Sequence, residues 1–129
     1  MLKEIKCCPV EVALRHIGKK WSVNIIRDLL MDKKRFKDFL QSNKDISTKM
    51  LSLRLKELEK DGIIEKIIVQ KTPLQIEYSI TEKGKDLGNV LFEIAMFSYK
   101  HYQSEVIKEN AKIDKARFEK WVRESFGIY

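Results

Sequence analysis

The residues of this chain best suited to chemistry are basic, and they are concentrated in its middle third. Residues 33–71 contain eleven Lys or Arg against six Asp or Glu, so this stretch carries +5 of the chain's net charge of +7. A localised positive field attracts polyanions and is typical of proteins that bind nucleic acid. We therefore expect double-stranded DNA as a partner, contacted mainly by this stretch.

Two adjacent thiols, Cys7 and Cys8, form the second reactive feature. Neighbouring cysteines make only a strained disulfide, so we expect no structural disulfides, as is typical of the reducing cytoplasm. Cys8 directly precedes a predicted helix and lies near Lys6, and both features favour the reactive thiolate. Cys8 is thus either a sensor of oxidants or electrophiles or an inert half-buried thiol, and Cys7 is either a bystander or a disulfide partner.

Catalytic and metal chemistry are not predicted. His16 and His101 stand in no metal-ligand spacing, and the chain has no Gly-rich phosphate loop, Walker motif or nucleophile elbow. No apolar run is long enough to span a membrane, and the N-terminus lacks the apolar region of a secretory signal. We predict a cytoplasmic protein that is not an enzyme and needs no cofactor or metal.

The elements that must position these residues follow from apolar spacing and turn chemistry. A chain of 129 residues, with 5 Gly and 2 Pro, predicts one mainly helical domain. Capping and periodicity predict helices at 9–17, 21–31, 35–42 and 47–61, the last capped by Ser47 and ended by Asp61-Gly62. Residues 63–70 and 76–80 predict a β-hairpin with a turn at 71–75, followed by a long fifth helix from about Glu82 and an amphipathic segment at 118–126.

The fold class is therefore mainly α with a small β-hairpin wing (α+β), in the order of a winged helix-turn-helix with C-terminal dimerisation helices. We expect residues 1–103 to form the DNA-binding domain, including the start of the dimerisation helix. Residues 104–129 are predicted to form a helical extension packed on the same domain or dimer.

Seven short segments occur in the order and spacing of a known family. They are Cys8-Pro9-Val10-Glu11, Gly18-Lys19-Lys20-Trp21, Arg35-Phe36, Ile46-Ser47, Leu51-Ser52-Leu53-Arg54-Leu55, Leu58-Glu59-Lys60-Asp61-Gly62-Ile63-Ile64 and Glu77-Tyr78-Ser79-Ile80-Thr81, with Gly84 following. From Cys8 to Tyr102 the chain resembles the HxlR family of bacterial and archaeal transcriptional regulators, which are relatives of the MarR-type winged-helix repressors. The resemblance implies a homodimer that binds operator DNA.

The chain departs from this family in two ways. The segment after about Gln103 extends past the family's usual end. Some redox-responsive members couple the cysteine before the proline to a second, distant cysteine. This chain has no cysteine after Cys8, so that switch does not carry over.

The fourth helix is the predicted recognition helix. On a helical wheel Leu51, Leu55 and Leu58 share one side, and Lys49, Leu53, Lys56 and Lys60 lie near the opposite pole. Because the N-terminal residues of such a helix reach base edges in the major groove, we assign Thr48, Lys49, Ser52 and Leu53 to bases and Lys56 to phosphate. The alternative is an ordinary solvated helix surface.

Further DNA contacts are predicted around this helix. Arg35 and Lys37 begin the third helix, where unpaired N–H groups also favour phosphate. Lys71 lies on the wing turn and could reach the adjacent minor groove, whereas a structural and a phosphate role are equally open for Arg54. The full predicted set is Arg35, Lys37, Ser47, Thr48, Lys49, Ser52, Leu53, Arg54, Lys56 and Lys71.

The fifth helix is apolar on more than one side, which predicts a homodimer interface shared with the first helix. The expected interface residues are Val10, Leu14, Leu87, Leu91, Ile94 and Phe97. The alternative is an intramolecular core covered by residues 118–126.

Together these features predict a dimeric regulator that binds a short pseudo-palindromic operator, modulated by thiol modification at Cys8 or by a small-molecule effector. The alternatives are a non-specific architectural DNA-binding protein, a winged helix used for protein contacts, and a small-molecule carrier. A carrier would need an enclosed apolar pocket between the fifth helix and the DNA-binding lobe.

Overall fold

The computed structural model describes residues 2–128; residues 1 and 129, the ends of the two predicted regions, lie outside the described residues. The elements are α1 (Pro9–Ile17), α2 (Ser22–Leu30), α3 (Phe36–Ser42), α4 (Thr48–Lys60), β1 (Ile64–Lys71), β2 (Leu74–Ile80), α5 (Glu82–Lys85), α6 (Leu87–His101), α7 (Gln103–Val106) and α8 (Lys115–Phe126). This mainly helical fold with a two-stranded antiparallel wing confirms the predicted fold class.

Local chemistry explains where α4 begins and ends and where α2 begins. The Ser47 hydroxyl accepts a hydrogen bond from the Met50 amide at 3.0 Å, which caps α4. Gly62, with φ +75°, follows the end of that helix in a conformation that favours glycine. Trp21 has φ +79° and so cannot be the first helical residue, which is why α2 begins one residue later than predicted.

The hairpin turn is shorter than predicted. The strands pair from Ile64 with Ile80 to Lys71 with Leu74, so only two residues separate them. Backbone pairing in an exposed hairpin does not require alternating apolar side chains. The side-chain pattern therefore predicted too long a turn: it ended the first strand one residue too early and began the second two residues too late.

The single long helix predicted from Glu82 is wrong, because α5 and α6 are separate helices joined at Asp86. The Thr81 hydroxyl accepts from the Gly84 amide at 3.1 Å and donates to the Gly62 and Ile63 carbonyls. A Cβ on Gly84 would lie 2.3 Å from the Ile63 carbonyl oxygen. The short α5 is thus held against the start of β1 by tertiary contacts that helical periodicity does not reveal.

Two apolar clusters support the fold. The larger one joins α2, α3, α4 and the base of the wing to α6, with Ile25, Ile26, Phe39, Leu51, Leu55, Leu58, Ile64 and Leu91 at its centre. In the smaller one, Phe118 and Val122 of α8 cover Phe92 on α6. Of the helices described between residues 2 and 128, none has the length and apolar character needed to cross a membrane.

Candidate nucleic-acid interface

The outward face of α4 has the composition predicted for a recognition helix. Leu51, Leu55 and Leu58 are buried against the core on one side of the helix. The side chains on the other side are exposed or, for Ser52, half-buried; they are Thr48, Lys49, Ser52, Leu53 and Lys56. The helix therefore presents two cations, two hydroxyls and one aliphatic side chain to its surroundings.

Two acidic residues near the end of α4, Glu57 and Asp61, are paired within the molecule, whereas the exposed Glu59 takes part in none of the ion pairs described between residues 2 and 128. Glu57 forms ion pairs with Arg54 at 3.1 Å and Lys19 at 3.4 Å, and Asp61 pairs with His16 at 2.9 Å and Lys83 at 3.4 Å. Among residues 2–128, Lys49 and Lys56 take part in none of the ion pairs. The positive charge of the exposed face is therefore not compensated by these carboxylates.

Arg54 has a structural position. Its side chain is only 12% exposed, and its Nε donates to the Lys20 carbonyl at 2.8 Å while Nη1 donates to Glu57 at 3.1 Å. The bond to Lys20 fastens α4 to the segment before α2, and the bond to Glu57 holds the guanidinium within α4. Of the two roles left open for Arg54, the geometry favours the structural one.

The N-terminus of α3 carries the two predicted cations and a capping carboxylate. Arg35 and Lys37 are exposed, but the Asp38 carboxylate accepts from the Arg35 amide at 3.0 Å and from the Lys34 amide at 3.3 Å. These two amides belong to the N-cap residue and the residue before it, so the carboxylate does not occupy the first-turn amides of Phe36 and Lys37. Phosphate binding by the first-turn N–H groups and the two cationic side chains therefore stays a prediction.

The wing presents a cation beside an exposed apolar surface. Lys71 is exposed next to the turn, and so are Ile67, Ile68, Val69 and Leu74. Sequence reasoning did not assign these apolar residues a role, although the run of consecutive β-branched residues was the available signal. Aliphatic side chains of this kind can contact thymine methyl groups or sugars in a DNA groove.

The base of the wing is anchored to the helix-turn-helix. The Tyr78 amide donates to the Lys34 carbonyl at 2.8 Å, and the Tyr78 ring packs edge-on to Phe39 with 6.1 Å between centroids. Burial raises the pKa of the Tyr78 phenol above its usual value, and the nearby Glu59 carboxylate adds to the effect. The phenol is therefore neutral throughout the physiological range.

A buried polar network lies behind the turn between α3 and α4, and the sequence analysis missed it. Asp28 is fully buried and pairs with Arg27 at 2.8 Å. Asn43 donates from Nδ2 to Asp28 at 2.9 Å and to the Phe39 carbonyl at 2.9 Å, and accepts from Arg27 at 3.2 Å. Asn43, one of the polar residues of the turn at 42–45, was the only sequence signal of this network. Nothing in the residue spacing links Asn43 to Asp28 on α2.

A second apolar surface faces outward on α1 and α6. Val10, Leu14, Val90, Ile94 and Phe97 are exposed, and most of them border a groove of about 600 Å³ between the two helices. Among the residues predicted for the dimer interface, Leu91 is only 5% exposed and belongs to the protomer's own core, and Leu87 is half-buried against it. Leu91 therefore supports α6 from within the protomer. Leu87 lies seven residues before Ile94 and so on the same side of the helix, and its place in the dimer interface stays a prediction.

The two thiols lie next to this surface. Cys8 is half-buried at the N-cap of α1, where its carbonyl accepts from the Val12 amide at 3.1 Å, and Cys7 is exposed. Within residues 2–128, His, Cys, Asp and Glu side chains do not converge in groups of three or more that could hold a metal ion.

Known proteins with similar sequences are helix-turn-helix regulators, in agreement with the winged helix-turn-helix described above. The sequence profile described as "HxlR-like helix-turn-helix" matches residues 16–106. The HTH-type regulator YdeP of Bacillus subtilis is 38% identical over 94 residues, which is 73% of each chain. The HTH-type regulator YodB of the same organism is 41% identical over 88 residues, which is 68% of this chain and 79% of YodB.

Solved structures give the same relationship. The redox regulator HypR in its oxidised form superposes with a TM-score of 0.67 at 35% identity, over 73% of this chain and 97% of HypR. Reduced YodB from Bacillus subtilis superposes with a TM-score of 0.61 at 38% identity, over 74% of this chain and 94% of YodB. This protein therefore belongs to the HxlR-like helix-turn-helix family, whose members are transcriptional regulators and not enzymes.

Proposed function

We propose that this protein is a cytoplasmic homodimer that binds a short pseudo-palindromic operator and thereby regulates transcription. The observation that carries the proposal is the outward face of α4, whose cations and hydroxyls lie beside one aliphatic side chain, opposite a fully buried leucine side. A helix of this kind fits the major groove of B-DNA, where hydroxyls and lysines bind base edges and apolar groups contact thymine methyls.

The proposed contacts divide by chemistry. Thr48, Lys49, Ser52 and Leu53 contact base edges. Lys56, Arg35 and Lys37 contact phosphates, and Lys71 reaches the adjacent minor groove or its phosphates. Ser47 lies at the same end of α4, where its hydroxyl caps the helix. Arg54 contributes by holding α4 in place.

A homodimer supplies the second half of the interface. One winged helix covers a single half-site, and a two-fold dimer reads half-sites about one DNA turn apart. Val10, Leu14, Ile94 and Phe97 form an exposed apolar surface of the kind that a second copy would bury.

The test is selection of binding sites from a randomised duplex pool, using reduced protein at near-physiological salt. We expect an inverted repeat with half-site centres about ten base pairs apart. Recovery of DNA without a motif would contradict sequence-specific binding and favour an architectural protein. Recovery of no DNA, with or without candidate effectors, would favour a protein-contact module.

We further propose that modification of Cys8 modulates operator binding. Support comes from its position at the N-terminus of α1 beside the proposed dimer surface, and from the similarity to HypR, which is described as a redox regulator. Oxidation by diamide would remove two electrons and two protons from two thiols and join them, either between protomers or with a small thiol.

The experiment compares operator affinity before and after diamide for the wild type, Cys8→Ser and Cys7→Ser. We expect the wild type to change affinity and Cys8→Ser to be insensitive. If Cys8→Ser responds like the wild type, this mechanism is wrong. Loss of the response in Cys7→Ser, with a cross-linked dimer of wild type on a non-reducing gel, would identify Cys7 as the disulfide partner.

A further inference from the structure

A cavity of about 350 Å³ lies in the C-terminal extension, between α8 and the segment that joins it to α7. The family profile ends at residue 106, so nearly all of the lining belongs to residues outside the matched region. Ligand sites usually have volumes of about 300–1,000 Å³, and a cavity of about 150 Å³ already holds benzene. The space therefore suits a molecule with one or two rings.

The lining combines aromatic and apolar walls with two cations. Phe118, which is buried, and Trp121, which is 57% exposed, contribute two aromatic rings, and Val106 is one of the apolar lining residues. Lys108 and Arg117 are the charged residues of the lining, which contains no acidic residue. Flat apolar bodies pack on such rings, and a guanidinium binds a carboxylate in a bidentate manner.

The two cations are not committed elsewhere in the described part of the chain. Between residues 2 and 128, the ion pairs of the C-terminal extension are Lys120 with Glu124 at 3.9 Å and Arg123 with Glu119 at 3.2 Å. Neither Lys108 nor Arg117 takes part in them. An anion entering the cavity would thus meet two exposed cations without displacing an internal carboxylate.

The cavity is also connected to α6. Phe118 stacks on Tyr99 with 4.7 Å between ring centroids, and the Tyr99 hydroxyl donates to the carbonyl of Ile113, another lining residue, at 2.6 Å. Tyr99 lies two residues after Phe97, which is exposed on the proposed dimer surface. A ligand that moves the segment before α8 would therefore act on the helix that carries this surface.

We propose that this cavity is an effector site for a small planar organic anion, an aromatic carboxylate of one or two rings. Its rings would lie on Phe118 and Trp121, and its carboxylate would bind Arg117 and Lys108. The regulatory part of this inference rests on the proposed function, whereas binding itself does not.

The test begins without DNA, by calorimetric titration of the full chain with sodium 2-naphthoate and with the uncharged analogue 2-naphthamide. We expect saturable binding of the carboxylate, and binding of the amide weaker by roughly tenfold, since charge-assisted hydrogen bonds are lost. Absence of saturable naphthoate binding would overturn the proposal.

Three variants locate the site. Lys108→Gln with Arg117→Gln should weaken naphthoate binding by roughly tenfold or more, because both cations of the lining are removed. The matched control, Lys112→Gln with Lys115→Gln, removes the same charge from exposed neighbours outside the lining and should leave affinity within about twofold. Ala111→Phe, at an exposed lining residue, should abolish binding by filling the cavity without changing charge.

Melting curves check that each variant is folded. Unchanged binding in Ala111→Phe, or equal loss in both double variants, would place naphthoate elsewhere and overturn the proposal. A change in oligomeric state in Ala111→Phe, without naphthoate binding to the wild type, would assign the cavity to a second copy of the chain.

Operator affinity is then measured with and without saturating naphthoate. We expect a change of about fivefold or more, which Lys108→Gln with Arg117→Gln removes. Binding without any effect on operator affinity would confirm the site and overturn its regulatory role. Binding by a protein that selects no DNA motif would leave the site intact and contradict the proposed function instead.

Discussion

At the scale of single residues, two sets of side chains around the helix-turn-helix have different tasks. The exposed lysines of α4 carry charge that the ion pairs of the described chain leave uncompensated. Asp28, behind the turn, is fully buried and binds Arg27 and Asn43. Under the proposed function, the α4 lysines determine DNA affinity and specificity. The network around Asp28 stabilises the turn that positions α4.

Substitution of single lysines on α4 should distinguish residues that contact base edges from residues that contact phosphates. Lys56→Ala should weaken binding to all DNA about equally and reduce the salt dependence by about one counterion. Lys49→Ala should cost about 1–3 kcal/mol on the selected site and relax its sequence preference. Affinity measured across salt concentrations and on mutated sites distinguishes the two effects.

The control for this pair is Lys112→Ala, which removes an exposed lysine of the C-terminal extension. It should leave both affinity and specificity unchanged. Equal effects of all three substitutions would contradict a specific role for α4.

Loss of the buried carboxylate should destabilise the protein. Asp28→Ala leaves Asn43 and Arg27 without their shared acceptor, and we expect a loss of about 2–3 kcal/mol in the free energy of unfolding. Denaturant unfolding measures this loss. Glu82→Ala, at a carboxylate that is 91% exposed, should change stability by less than about 0.5 kcal/mol. Similar stabilities of the two variants would show that the network contributes little.

At the scale of elements, the start of the wing and the short α5 form one unit. Thr81 bonds to the Gly62 and Ile63 carbonyls, and Lys83 donates to the Asp61 carbonyl at 2.6 Å. The end of α4, the two residues just before β1 and the first turn after the wing are thereby fastened together. The wing thus keeps a defined position relative to the recognition helix.

Substitutions at two glycines test the junction between α5 and the residues just before β1. Gly84→Ala should destabilise the protein by about 1–3 kcal/mol, because the added Cβ would meet the Ile63 carbonyl and the Ile80 side chain. Gly88→Ala, where the nearest atom is an Ile128 carbon at 3.4 Å, should be neutral or stabilising by up to about 1 kcal/mol. Thermal and denaturant unfolding provide both values. Tolerance of Gly84→Ala would show that the junction can open at little cost.

At the scale of the whole molecule, α6 has one apolar side covered within the protomer and another that is exposed. Phe92 is covered by Phe118 and Val122 of α8, whereas Ile94 and Phe97 are 53% and 57% exposed. The alternative weighed for the fifth helix, an intramolecular core covered by the C-terminal segment, thus accounts for one side of it. The other side remains the surface that we propose for the second copy.

A negative charge introduced on the exposed apolar side of α6 should weaken dimerisation without unfolding the protomer. Ile94→Glu should weaken dimerisation by roughly a hundredfold, because a carboxylate would be buried without a partner. It should leave the protomer folded, since Ile94 is outside its core. Sedimentation measures the oligomeric state, and operator affinity should fall in parallel. The control Asn89→Glu adds the same charge at an exposed position of α6. A stable Ile94→Glu dimer would place the interface elsewhere.

Much of the fold was determined by local sequence chemistry. Ser47 and Gly62 mark the ends of the recognition helix, and apolar spacing separates its leucine side from its lysine side. Periodicity and capping depend on residues within a few positions of one another, so the sequence alone predicts them. The HxlR resemblance rested on the same short segments.

Only the tertiary structure decided which apolar and polar groups meet at a distance. The pairing of Asp28 with Asn43, the structural position of Arg54 and the burial of Leu91 depend on how separate elements pack. The break before α6 has the same origin, because the N-cap of α5 is bound to Ile63, the residue before β1. Helical spacing shows that a side chain is apolar or charged, whereas its partner is chosen by contacts between elements far apart in the chain.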